Sequence, residues 1–138
     1  MSLLDLVPTL YDLTGVPVLE GDLPLRVEAP RQPPALPGRS LTPVLRGERP
    51  KMQDSLVVEN DEDYLGLRLR TLITERYVLT AYPGHPFGEL WDLQEDPQQL
   101  WNRWNDPALA ETKRDLTLQL FEELVRTDGA LPRRLCHA

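Results

Sequence analysis

The sequence predicts an α+β fold in which a four-stranded antiparallel sheet carries a long C-terminal helix on one face. Three observations predict this class. Apolar and polar residues alternate with the period of a strand between residues 55 and 82. A helical period replaces that alternation after residue 106. The links between the predicted strands are short, so neighbouring strands are expected to pair antiparallel as a meander.

An N-terminal helix is predicted ahead of the sheet. Ser2 and Asp5 resemble a capping box, and Gly15 supplies the C-terminal stop. Because Pro8 lacks a backbone donor and crowds the preceding turn, we expect an irregular first turn followed by a helix from about Val7. The apolar residues with helical spacing are Leu3, Leu6, Val7, Leu10 and Leu13.

A proline-rich irregular segment connects this helix to the sheet over residues 16–54. Proline is abundant in the chain, with 14 residues, and residues 16–37 show no sustained period. This stretch is expected to be a surface excursion that is extended at Pro33 and Pro34. Residues 38–47 are expected to hold one short helical turn, capped by Ser40 and closed by Gly47.

The four strands are expected at about residues 55–59, 65–74, 77–82 and 89–93, with a tight turn at 74–76 and a loop at 83–86. One face of the second strand is expected to carry Leu65, Leu67, Leu69, Thr71 and Ile73.

Two Asp-Pro pairs follow the sheet, and each is typical of a helix start. The pair at 96–97 predicts a short helix to about Trp104. The pair at 106–107 predicts the longest helix, which runs to about Thr127 and is ended by Gly129. Its buried face is expected to consist of Leu109, Leu116, Leu120 and Leu124, supported by Phe121.

Composition excludes several functions. Twenty-two acidic residues against 15 basic ones give a net charge of −7, which disfavours a nucleic-acid partner. No apolar run approaches the ~18 residues needed to cross a bilayer, and no signal sequence is visible, so we expect a cytoplasmic protein without membrane contact. A single cysteine, Cys136, excludes an intrachain disulfide and a multi-cysteine metal site.

The acidic run at residues 59–63 is the densest cluster of oxygen ligands. A Ca²⁺ loop of EF-hand type that began at Asp61 would place Leu65 and Leu72 at ligand positions, and leucine offers no side-chain oxygen. The pattern therefore favours a solvated loop between strands.

Other chemistry-bearing residues are weak candidates. Cys136 and His137 lie in the last residues of the chain, where no rigid base activates a thiol. His85 lies in a turn, where an exposed loop residue is favoured over a position at the rim of a cleft. Core or interface packing is favoured over stacking on a sugar or base for Trp91, Trp101 and Trp104.

Four stretches resemble segments of the sulfatase family, in the family's order. Residues 3–15 resemble D-x-x-P-T-L-L-D-L-A-G, and residues 38–47 resemble G-x-S-L-x-P-L-L-x-G. Residues 70–79 are similar to R-T-x-x-x-K/R-Y-K-L. Residues 88–97, with Asn102, are similar to G-E-L-Y-D-L-x-x-D-P-x-E-x-x-N. The resemblance covers the chain except about residues 18–36.

The resemblance implies a C-terminal region of an alkaline phosphatase-like sulfatase, of the arylsulfatase or N-sulfoglucosamine sulfohydrolase type. Residues 1–15 would be the last helix of the missing catalytic domain, 16–54 the connection, and 55–138 the C-terminal subdomain. Sulfatases cleave sulfate esters with a formylglycine made within C/S-x-P-S-R and with a divalent cation, usually Ca²⁺. Cys136 is followed by His137 and Ala138, so that motif is absent, and the metal-binding aspartates would lie upstream of Met1.

We therefore expect a sulfatase fragment that is inactive alone, holds neither metal nor cofactor, and continues an upstream reading frame. A stand-alone protein-binding or assembly module is the alternative, and a complete small hydrolase of another class is disfavoured. The partner is expected to be the missing catalytic domain or a second copy in a homodimer. Candidates for the rim of the parent's substrate cleft are Glu59, Asn60, Asp61, Asp63 and His85.

Overall fold

The structure of the chain, a computed structural model, describes residues 2–16 and 38–128. The chain divides into two compact units. One contains the residues up to Met52 together with those from Asp128 onward, and the other spans Gln53–Thr127. The predicted excursion at 17–37 and the tail with Cys136 lie outside the described residues. Within the described segments, no helix is long and apolar enough to cross a bilayer.

The N-terminal segment begins with a 3-10 turn, Leu3–Asp5, and continues as helix α1, Leu6–Thr14. The predicted capping box is present: the Ser2 N–H donates to Asp5 Oδ2 at 2.7 Å, and Ser2 Oγ accepts from the Leu4 N–H at 3.3 Å. Gly15 ends the helix with a φ of 67°, a left-handed conformation that costs glycine little. The predicted irregular first turn and following helix are confirmed.

Three side chains of the 3-10 turn and α1 hold residues 38–42 in place. The Arg39 N–H donates to Asp5 Oδ1 at 3.0 Å, and the Leu41 N–H donates to Thr9 Oγ1 at 2.9 Å. The Ser40 hydroxyl donates to Asp12 Oδ2 at 2.6 Å, and this bond lowers the pKa of the Asp12 carboxyl. Asp5, Thr9 and Asp12 lie on one face, separate from the apolar stripe, and the contacts explain why this face is polar.

Gly38 approaches the backbone of the 3-10 turn so closely that a Cβ atom there would lie 1.9 Å from the Leu4 carbonyl oxygen. Helix α2, Thr42–Leu45, follows at once. The sequence predicts Ser40 as the N-cap of this helix, but Leu41 occupies that position. Ser40 Oγ nevertheless accepts from the Thr42 N–H at 3.2 Å.

The sheet is a four-stranded antiparallel meander with the strand order β1-β2-β3-β4. Every strand pairs with the next one along the chain, which confirms the predicted topology. The strands are β1, Ser55–Glu62; β2, Leu67–Thr74; β3, Tyr77–Ala81; and β4, Gly88–Asp92.

The core follows from the strand register. Val57 lies opposite Leu72, Leu72 opposite Leu79, and Leu79 opposite Leu90, so one row of apolar side chains crosses all four strands. The three leucines of the row are 0% exposed. Because Leu72 belongs to this row, the buried face of β2 is opposite to the one that carries Leu67 and the other odd-numbered residues.

Helix α3, Ala110–Asp128, covers this row. A 3-10 turn, Pro107–Leu109, precedes it, and the Asp106 carboxylate caps the turn by accepting from the Ala108 N–H at 2.9 Å. Leu116 and Leu120 complete the core. The long helix and its Asp-Pro start are therefore confirmed.

Phe121 does not support the core as predicted. The side chain is 62% exposed, because adjacent helical residues point about 100° apart and Leu120 faces the sheet. Among the tryptophans, Trp104 packs against the core cluster, whereas Trp101 is 65% exposed and contradicts the packing prediction.

The predicted helix at 96–104 does not form. Asp96 Oδ2 accepts from the Trp101 N–H at 2.8 Å and holds the segment as turns. The Asn102 amide donates to the Gly88 carbonyl at 2.9 Å and accepts from the Leu90 N–H at 3.1 Å. The Arg103 N–H donates to the Leu90 carbonyl at 2.8 Å. This segment therefore satisfies the Gly88 carbonyl and both backbone groups of Leu90 on the outer edge of β4.

Candidate functional site

All five predicted rim residues lie at one end of the sheet. In an antiparallel meander, the β1–β2 link and the β3–β4 link leave the sheet at the same end. We call this region the hairpin end, and it comprises residues 59–70 and 82–89. Glu59, Asn60 and Asp61 lie on β1, Asp63 in the following turn and His85 in the β3–β4 loop. They share this end of the sheet but do not form one group, because β1 and β4 are its opposite edges.

The acidic run is mostly strand, which contradicts the predicted solvated loop. Pairing of β1 with β2 continues as far as Glu62 opposite Leu67, whereas β3 first pairs with β2 at Arg70. Three residue pairs beyond that point therefore form a two-stranded ribbon, which projects about 10 Å at ~3.3 Å per residue. Tyr64, at the tip of the ribbon, is 94% exposed.

Cross-strand charge explains why acidic residues are stable in this strand. Arg70 Nη1 lies 2.7 Å from Asp61 Oδ1, and Arg70 Nη2 lies 3.3 Å from Glu59 Oε2. The hydrogen bond between Arg70 and Asp61 lowers the pKa of the Asp61 carboxyl and raises the pKa of the Arg70 guanidinium. Sequence reasoning missed this clamp because it depends on the register of β1 against β2.

The residues at the hairpin end do not fit the Ca²⁺ of the sulfatase family. Asp61 and Glu59 are paired with Arg70, and Leu65 offers no oxygen. Across residues 2–16 and 38–128, no group of three or more His, Cys, Asp or Glu side chains could hold a metal ion.

A second group of side chains, four with rings and one carboxylate, begins at the hairpin end and continues along β4 to Trp91, and its spacing in the sequence does not predict it. The Tyr82 and Phe87 ring centroids are 5.0 Å apart, and so are those of His85 and Phe87. The Tyr82 hydroxyl donates to Glu89 Oε1 at 2.7 Å, and the Trp91 indole N–H donates to Glu89 Oε2 at 3.4 Å. The hydrogen bond to Glu89 raises the pKa of Tyr82. We call these five residues the aromatic cluster.

A buried carboxylate fixes the other end of β4. Asp92 is 2% exposed and accepts from Arg76 Nη2 at 2.7 Å and from the Gln94 N–H at 3.0 Å. The Arg76 guanidinium lowers the pKa of Asp92. Because every partner of this carboxylate belongs to the protein's own turns, the site stabilises the fold and offers no free group for chemistry.

Comparison with known proteins places these features in context. No protein-family model matches the chain. The chain is 34% identical over 111 residues to the Delta 4,5-hexuronate-2-O-sulfatase of Bacteroides thetaiotaomicron. This match covers 78% of the chain but only 20% of that sulfatase.

Solved structures give the same result. The structure of a 2-O GAG sulfatase superposes with a TM-score of 0.70 at 29% identity, covering 90% of this chain and 24% of that one. A second protein, solved in complex with its substrate D-glucosamine-2-N,6-O-disulfate, has the same fold, with a TM-score of 0.69 at 22% identity. That match covers 91% of this chain and 24% of the other. The chain thus spans about a fifth to a quarter of the length of the relatives that it matches.

Proposed function

Because this chain is related to sulfatases in sequence and fold and corresponds to their C-terminal region, we propose that it is the packing part of a sulfuric-ester hydrolase. In this proposal the chain supports a catalytic domain and does not cleave sulfate esters alone. Cleavage needs an activated nucleophile together with cationic charge stabilisation. The sequence lacks the formylglycine motif, and Arg70, which could offer cationic charge at the hairpin end, is paired with acids.

The observation that carries this proposal is the apolar stripe of the N-terminal segment. A helix of a globular protein normally turns its apolar stripe toward a core. Here the stripe stays 42–80% exposed across Leu3, Leu6, Val7, Leu10 and Leu13. Covering roughly 400 Å² of apolar surface would contribute about 10 kcal/mol, a value as large as the net stability of a typical domain. Such a stripe fits a helix that packs against a further domain.

We expect the purified chain to show no turnover of an aryl sulfate, with or without added Ca²⁺. The reason is the missing nucleophile motif rather than misfolding, so a circular dichroism spectrum should show the folded chain in the same preparation. The measurement is release of the phenol chromophore, with a full-length sulfatase as the positive control. Saturable release above the level of the heat-denatured chain would contradict the proposal.

The proposal extends to the substrate class of the parent enzyme. The relatives above act, by their names, on a hexuronate 2-O-sulfate and on a glycosaminoglycan 2-O-sulfate. We propose a sulfated sugar as the parent's substrate and the hairpin end as part of the cleft rim. The projecting ribbon supports this assignment, because it reaches beyond the four-stranded part of the sheet toward whatever lies beside that end.

Without a catalytic domain, the same stripe should drive self-association into a homodimer. Leu10→Lys places a charge at the middle of the stripe, and Leu65→Lys is a matched control because the two leucines are 60% and 63% exposed. Light scattering after size exclusion at micromolar concentration should give a dimer for the unsubstituted chain and for Leu65→Lys, and a monomer for Leu10→Lys. A monomeric parent chain at every concentration would contradict the dimer.

The alternative function, a stand-alone assembly module, depends on the same stripe. The DNA upstream of Met1 separates the two functions. A continuous sulfatase reading frame there supports the packing part of a hydrolase, and an unrelated sequence supports the module.

A further inference from the structure

The aromatic cluster forms one continuous surface of contacts. Trp91 contacts Glu89 through the indole N–H, and Glu89 contacts Tyr82 through the phenol hydroxyl. The Phe87 ring lies next to the rings of both Tyr82 and His85. The cluster therefore extends from the middle of β4 to the tip of the β3–β4 loop.

The loop that carries the cluster is held in place. The His85 N–H donates to the Tyr82 carbonyl at 3.0 Å, and Gly84 takes a φ of 85° that completes the turn. Phe87 is nonetheless 50% exposed, and His85 is exposed as well. Exposed rings on a hydrogen-bonded turn are available to a ligand without a large loss of conformational entropy on binding.

The chemistry of the cluster combines ring faces with one carboxylate. Each oxygen of Glu89 accepts one hydrogen bond from the cluster and keeps a further lone pair. Arg70 is paired with Glu59 and Asp61 and lies on the opposite face of the sheet, because it shares the face of Leu72, whereas Glu89 pairs with Thr80 on the other face. The surface thus suits a ligand with an apolar face and hydroxyl donors, and its negative charge disfavours a sulfate or carboxylate group.

We propose that the aromatic cluster binds the uncharged face of a sugar ring, with Phe87 and His85 stacking on its C–H groups and Glu89 accepting from its hydroxyls. This inference rests on the proposed function, since it assigns the unsulfated side of the parent's sugar substrate to this chain. The cluster is a binding subsite and takes no part in sulfate cleavage.

The test is binding of N-acetylglucosamine to the whole chain, measured by NMR shifts of the His85 and Phe87 amides and of the Trp91 indole N–H. We expect saturable binding with a dissociation constant on the order of millimolar. Phe87→Ala should weaken binding about tenfold, since an aromatic contact contributes roughly that factor. Phe121→Ala is the matched control, because that ring is 62% exposed on α3, outside the cluster. This variant should bind the sugar as tightly as the unsubstituted chain does.

Two further arms test the chemistry. Glu89→Gln keeps the shape of the side chain, removes its charge and should weaken binding of the neutral sugar several-fold. N-acetylglucosamine 6-sulfate should bind no more tightly than the neutral sugar. The inference is overturned by the absence of saturable shifts, by equal affinities of Phe87→Ala and Phe121→Ala, by undiminished binding to Glu89→Gln, or by tighter binding of the sulfated sugar.

These outcomes are distinguishable from failure of the proposed function. Aryl sulfatase turnover by the isolated chain would contradict the packing role whatever the sugar result. If the chain does not bind the sugar, shows no turnover and dimerises through the apolar stripe, only the proposed sugar site is contradicted and the packing role stands.

Discussion

Leu79→Ala is expected to lower the free energy of unfolding by about 3 kcal/mol, within the ~2–5 kcal/mol found for leucine truncation in a core. Leu79 is 0% exposed on the inner strand β3, between Leu72 and Leu90. Truncation would leave a cavity at the middle of the row beneath α3, where pairing on both sides of β3 limits how far the backbone can move. Urea unfolding followed by circular dichroism measures the loss.

Leu118→Ala is the control for this prediction. The same side-chain atoms are removed from a position on α3 that is 57% exposed, so the change should stay within about 0.5 kcal/mol. A loss below about 1 kcal/mol for Leu79→Ala would mean that the helix does not cover the row as described.

Asp92→Asn is expected to cost about 2–3 kcal/mol, because an amide nitrogen cannot accept the bonds that the carboxylate oxygens receive. Arg76 donates to both oxygens of Asp92, at 3.2 and 3.1 Å from Nε and at 2.7 Å from Nη2. The Arg76 side chain is 47% exposed, so water screens part of the charge interaction and the cost stays below that of a fully buried pair. Thermal unfolding of both chains measures it.

The Asp92 contribution should also depend on pH. The folded-state pKa of Asp92 lies below its ordinary value of 3.8, chiefly because of Arg76. A lowered pKa gives stabilisation that is fully present above that ordinary value and is lost as the pH falls through the folded-state pKa. The difference in unfolding free energy between the unsubstituted chain and Asp92→Asn should therefore be constant near neutral pH and diminish below about pH 4. A gap that stays unchanged into strong acid would contradict the charge pairing.

Asp115→Asn provides a surface comparison. Its carboxylate also pairs with an arginine, with Arg114 Nη2 at 3.0 Å, but the side chain is 64% exposed. An exposed ion pair contributes about 1 kcal/mol or less, so this substitution should have little effect at any pH.

The parts of the fold that the sequence predicts are those set by local chemistry. The cap of Ser2 with Asp5, the stop at Gly15 and the start at Asp106 each depend on residues within one helical turn. The alternation of apolar residues likewise locates the strands, and their short links settle the meander. None of these features requires knowledge of a distant partner.

The two mistaken secondary-structure predictions depend on partners elsewhere in the chain. Residues 96–104 read as a helix because Asp-Pro is a strong local start, but Asn102 bonds to Gly88 and Leu90, at least 12 residues away. The acidic run read as a loop because its stabilising partner, Arg70, lies on the next strand.

The candidate site shows the same division. His85 and the acidic residues could be singled out by type, and the meander places them at one end of the sheet. The aromatic cluster could not be assembled from spacing, since Tyr82 meets Glu89 only once the β3–β4 loop has folded. Alternate positions on β4, such as Glu89 and Trp91, were the available signal, because they share one face of a strand.

The bonded backbone groups on the outer edge of β4 affect how the isolated chain can aggregate. Growth of amyloid requires a free row of backbone groups to which further strands can add. On β4, the Gly88 carbonyl and both backbone groups of Leu90 are already bonded to Asn102 and Arg103. On β1, the other edge, parallel in-register addition of a second copy would place Glu59 and Glu62 beside the same residues of that copy, so like charges would meet. Concentrated samples should therefore form oligomers that dissolve on dilution rather than fibrils.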